Sequence, residues 1–174
     1  MQTILSRFSL VAVALRVVLS CAIPGCTIPG FAGTFLAASS YATGNSPIAV
    51  AVADFNGDGR PDLAVANNRD GTVSVLLANA DGTFQAAHNY GAGTAPKSVV
   101  AGDFNGDGRM DLAVANAMTN NVSILMGNGD GTFQAAVNYD AGSTPQAVVS
   151  ADFNGDGKLD LAVANQSLGA GPKV

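Results

Sequence analysis

Asp103-Phe-Asn-Gly-Asp-Gly-Arg-Met-Asp111, continued by Leu112-Ala-Val-Ala-Asn116, is the stretch on which the reading of this chain turns. It recurs as Asp54-Phe-Asn-Gly-Asp-Gly-Arg-Pro-Asp62 and as Asp152-Phe-Asn-Gly-Asp-Gly-Lys-Leu-Asp160, with first aspartates 49 residues apart each time. A constant period of this size is the mark of stacked or radially arranged supersecondary units. Inside the middle copy, Asp103, Asn105 and Asp107 place side-chain oxygens at positions 1, 3 and 5 of a loop. Asp111 adds an oxygen at position 9, and the carbonyl of Arg109 offers one at position 7. A chain curling around calcium presents alternate residues in this way, because the ion takes six to eight oxygen ligands. Gly108 at position 6 allows the left-handed turn that such curling needs, and Gly106 loosens the loop further. The first copy supplies Asp54, Asn56, Asp58, Arg60 and Asp62 in the same order, and the third supplies Asp152, Asn154, Asp156, Lys158 and Asp160. The sequence thus predicts up to three calcium ions.

An EF-hand starts alike but requires glutamate at position 12 between two helices. Here position 12 is Val65, Val114 or Val163, and the chain contains no glutamate. A plain polar turn would explain Asn-Gly-Asp-Gly, but it has no need of an aspartate at position 9 in all three copies.

Other landmarks keep the period. Gly33-Thr-Phe35, Gly82-Thr-Phe84 and Gly131-Thr-Phe133 are 49 apart, as are Tyr41, Tyr90 and Tyr139, and Pro47, Pro96 and Pro145. Within one unit, Phe35–Tyr41, Ile48–Phe55, Leu63–Ala66 and Val73–Leu77 read as short strands bounded by Asn, Asp and Gly. Leu112 and Val114 alternate with Ala113 and Ala115, so this strand is apolar on both faces and predicts a place between two sheets. Four strands per 49 residues match a propeller blade. The expected fold is all-β, with about three four-stranded blades and a calcium loop joining two strands of each. The units run 33–81, 82–130 and an incomplete 131–174. Propellers commonly have at least about four blades. The expectation is therefore a fragment of a longer propeller, with an open array or closure by self-association as the alternatives.

Asp-Phe-Asn-Gly-Asp-Gly-x-x-Asp-Leu-Ala-Val-Ala-Asn, with Gly-Asp-Gly-Thr-Phe-Gln about twenty residues on, resembles the bacterial FG-GAP-like (VCBS-type) repeats, relatives of the integrin α-subunit propeller blades. The Phe-Gly and Gly-Ala-Pro signatures of the integrin-type repeat are absent, and Ala-Val-Ala-Asn stands where the latter would fall. The resemblance implies a non-catalytic module with a structural or adhesive role toward a protein or glycan. The alternative it implies is an accessory domain of a larger secreted enzyme, for example a carbohydrate-active one.

All 13 acidic residues are aspartates, and nine of them lie in the three loops. Three divalent ions would add six positive charges and turn the formal −5 into +1. The acidity therefore belongs to the loops, and no basic cluster points to nucleic acid. His88, the one histidine, has Ser39 and Val137 as counterparts, and no nucleophile has a base partner in the sequence. Residues 1–21 carry Arg7 ahead of an apolar run, as in a signal peptide or lipoprotein leader. Val18-Leu-Ser-Cys21 loosely resembles a lipobox, which would lipidate Cys21. The run is too short and interrupted to span a membrane. Residues 22–32, with Ile-Pro-Gly twice, form a linker. Export to the cell surface or beyond is the expectation.

Overall fold

A computed structural model describes residues 9–12 and 39–166. The expected linker, Gly33-Thr-Phe35, residues 167–174 and all but four residues of the expected leader lie outside the described residues. Among the described residues there is no helix, and hence none long and apolar enough to cross a membrane. A short strand β1 (Ser9–Ala12) pairs antiparallel with β2 (Ser39–Ala42).

The repeated region folds as successive antiparallel meanders. Blade 1 consists of β3 (Pro47–Ala53), β4 (Asp62–Asn67), β5 (Thr72–Leu76) and β6 (His88–Gly91), hydrogen-bonded in that order. Blade 2 repeats it with β7 (Pro96–Gly102), β8 (Asp111–Asn116), β9 (Asn121–Leu125) and β10 (Val137–Asp140). Blade 3 shows β11 (Pro145–Ala151) and β12 (Asp160–Asn165), so two of its strands lie among the described residues. Each four-stranded sheet runs from a proline, past the next Gly-Thr-Phe, to that segment's tyrosine. The blades are propeller-like and do not close.

Blades stack through their first strands, β3 against β7 and β7 against β11. The seam follows from side-chain size. The rear of blade 1 presents Ala49, Ala51, Ala53, Ala64 and Ala66, into which blade 2 packs Val99, Leu112 and Val114. Small residues on one face let the branched residues of the other approach closely, as dense packing requires. Leu112, Ala113, Val114 and Ala115 are all buried, as expected of a strand covered on both faces.

Buried polar ladders lock each meander. Asn67 Nδ2 donates to Ser74 Oγ (2.8 Å), whose hydroxyl donates to Asn89 Oδ1 (2.6 Å), joining β4, β5 and β6. Asn116, Ser123 and Asn138 repeat the chain at 2.8 and 2.6 Å. Such bonds fix register, because a one-residue slip would leave buried amides unpaired.

Phe133 and Gly131 reach back across the seam. The Gly131 amide donates to the carbonyl of Phe55 (2.9 Å), and Phe133 packs edge-on against Phe55 and Tyr90, both with centroids 5.4 Å apart. Gly131 has φ +86°, and a Cβ there would stand 2.7 Å from a Leu77 methyl. Gly131→Ala is therefore expected to lose about 1–2 kcal/mol from the left-handed backbone alone. Urea denaturation checks it, and an unchanged midpoint would contradict the geometry.

Candidate metal centre

The loops that join β3 to β4, β7 to β8 and β11 to β12 are built identically. In the first, Asp54 Oδ1 accepts the amides of Gly57 (2.8 Å) and Asp58 (3.1 Å), and Oδ2 accepts Gly59 (2.7 Å). Asp103 does the same with Gly106, Asp107 and Gly108 at 2.7, 3.1 and 2.8 Å. Asp152 takes Gly155, Asp156 and Gly157 at 2.7, 3.2 and 2.9 Å. The glycines at positions 4 and 6 make this winding feasible, with φ between +72° and +83° in all three loops. Backbone donation, foremost from the position-6 glycine, holds the carboxyls of Asp54, Asp103 and Asp152 below the usual range. They stay ionised, as ligands for a cation must.

Positions 3 and 5 continue the curl. Asn56 Oδ1 accepts the Asp58 amide (3.1 Å), and Asp58 Oδ1 accepts the Arg60 amide (2.9 Å). Asn105 with Asp107, and Asn154 with Asp156, repeat both bonds. In each loop the asparagine Nδ2 also donates to the position-5 carboxylate, at 2.7, 3.0 and 3.2 Å. Position 7 varies: the Arg60 guanidinium pairs with Asp58 at 2.5 Å and donates through Nε to the carbonyl of Ala78 at 3.2 Å.

Position 9 shows what sequence alone did not reveal. Asp62 and Asp111 are fully buried, and both oxygens of each accept backbone amides. Asp62 takes Phe55 (3.0 Å) and Ala78 (2.7 Å), and Asp111 takes Phe104 (3.1 Å) and Gly127 (2.8 Å). Asp160 accepts Phe153 (3.1 Å). These carboxylates tie the loop to its own second residue and, in blades 1 and 2, to the segment just past β5 or β9. Burial pushes the carboxyls of Asp62 and Asp111 above their ordinary value, and the negative charges at positions 5 and 1 push further in the same direction.

Among the described residues, no three His, Cys, Asp or Glu side chains stand close enough to form a metal cluster on their own. The donor set at each loop is mixed: three carboxylates, one amide oxygen and one carbonyl. Oxygen-only donors suit a hard divalent cation. A carboxylate has about four acceptor sites, so Asp62 and Asp111 keep unused lone pairs. A divalent ion would also relieve the repulsion that raises their pKa. The residues fit calcium in chemistry: the oxygens of Asp54, Asn56, Asp58 and Asp62 and the carbonyl of Arg60 would hold it in the first loop, and their counterparts would do so in the others.

Propeller-like meanders carrying an Asp-x-Asn-x-Asp-Gly-x-x-Asp loop between their first two strands define a class of β-repeat proteins. Three successive stretches, residues 30–65, 54–114 and 103–163, match the FG-GAP-like repeat. The chain belongs to the FG-GAP-like repeat family. A search of curated proteins gave no match.

Proposed function

We propose that the chain is an exported, non-catalytic, calcium-binding repeat module with a structural or adhesive role toward a protein or glycan. The observation that carries this reading is the threefold loop, in which the side-chain oxygens at positions 1, 3 and 5 accept the same loop amides each time. Nine aspartates in three compact loops make ion binding the most economical role for them. Extracellular calcium modules bind at about 10⁻⁴–10⁻³ M, which suits a calcium-rich exterior. Ions bound only by the folded chain would stabilise each loop by mass action, by about 2.7 kcal/mol at a hundredfold excess over Kd.

Isothermal titration with calcium is expected to show three sites in the wild-type chain. Asp103→Ala removes the residue that organises the middle loop and is expected to leave two. Absence of binding up to about 10 mM calcium, well above that range, would sink the proposal.

A further inference from the structure

Blade 1 exposes an apolar strip on the face that points away from blade 2. Val50 is 51% exposed and Val52 58%, with Ile48 beside them at the bulge that opens β3. Val65 and Leu76 on the neighbouring strands are buried, so the strip is confined to β3. The counterparts of Val50 are Val99 and Val148, only 5% and 2% exposed. The residue is the same; what differs is that β7 and β11 each have the first strand of a preceding blade against them, and among the described residues β3 has none.

The uncovered strand is also more apolar than the covered ones. Ile48 stands where β7 has Lys97 and β11 has Gln146, and Val52 stands where they have Ala101 and Ser150.

The other end of the array offers the matching surface. On the rear of blade 3, the side chains of Ala147, Val149, Ala162 and Ala164 line a shallow cavity of about 200 Å³, and Val149 is 54% exposed. This is the alanine-rich rear face that, in blade 1, receives Val99 of blade 2. Among the described residues the joint thus occurs twice in its occupied form, front valine on rear alanine, and one half of it is exposed on blade 1 and the other on blade 3.

We infer that the chain associates with itself head to tail, the β3 face of one copy seating on the rear of β11 and β12 of the next. The contact continues the seams already present between blades and uses no loop residue of the candidate calcium sites, so it stands independently of the proposed calcium binding. Because the two surfaces differ, the interface is heterologous, giving a ring where the rotation closes and a filament where it does not.

Sedimentation velocity of the full chain in millimolar calcium tests this. The wild type is expected to form larger species as its concentration rises to about 100 µM, within the range of weak association. Val50→Asp spoils the front and leaves the rear, and Val149→Asp spoils the rear and leaves the front. Both positions are half exposed, so each variant is expected to melt within a few degrees of the wild type. Each alone is expected to be monomeric, while an equal mixture forms a one-to-one dimer through the two intact surfaces. A wild type that stays monomeric at the highest concentration would overturn the inference, whether the face then stays bare or meets further repeats in a longer chain. So would single variants that still associate, or a mixture that does not.

Discussion

Phe133→Ala is expected to lower the unfolding free energy by about 3–5 kcal/mol, the range for emptying a buried aromatic site. Phe133 is 7% exposed and fills the joint between blades 1 and 2, where its ring meets Phe55 and Tyr90. Paired aromatics add to the burial term, so the loss includes their edge-to-face contacts. A folded chain of this size holds only about 5–15 kcal/mol, so the variant should shift the urea midpoint strongly. Phe84→Ala is the internal comparison. Phe84 occupies the same place in the repeat but is half-buried and, among the described residues, meets one aromatic ring, that of Tyr41, edge-on at 5.3 Å. A clearly smaller loss is expected there. Equal losses would mean that the seam contributes nothing beyond local packing.

The second large effect is expected from Asp111→Ala. It strips the acceptor from two backbone amides, Phe104 and Gly127, in the interior. Each stranded donor costs about 1–3 kcal/mol. The removed carboxylate was itself disfavoured by burial, which offsets part of this, and a net loss of about 2–4 kcal/mol is expected. Thermal melts in excess chelator are the informative condition, since the amide bonds exist without any ion. A variant that matched the wild type in chelator and differed only in calcium would show that position 9 acts solely as a ligand. Asp160→Ala, at a part-exposed aspartate accepting the Phe153 amide, is expected to lose less.

That dual character of position 9 marks where sequence reading stopped. The spacing of Asp62, Asp111 and Asp160 relative to the loop was plain. Their second partners in blades 1 and 2 are the amides of Ala78 and Gly127, sixteen residues on, and a main-chain donor leaves no signature in the sequence. Strand positions were legible where Val, Leu and Ile alternate: Leu63–Ala66 falls inside β4, and Val73–Leu77 overlaps β5 with a one-residue offset. The phase of the sheet was not legible, because a period can be cut anywhere. The segment holding Tyr90 begins one repeat in the sequence but completes the sheet of the one before it. Also hidden were Ser46, Ala95 and Thr144, which precede the strand-opening prolines with φ of 57°, 56° and 52°. Residues before proline ordinarily favour extended backbone. A register shift follows each of them, and their carbonyls accept the amides of Asn68, Ala117 and Gln166.

Phe55 has one further consequence. It is the second residue of the first oxygen-lined loop, its amide is held by Asp62, and its carbonyl and ring fasten the Gly131–Phe133 segment of the following blade. This fastening runs forward to the blade after the loop, while Leu159 of the third loop reaches back to stand against Gly102 of blade 2. Phe104 shares an apolar cluster with Leu161 and Val163 of blade 3. An array assembled this way is laced as well as stacked, each loop tied to a neighbouring blade. Loosening the first loop would therefore be felt in blade 2, through the Gly131–Phe133 segment.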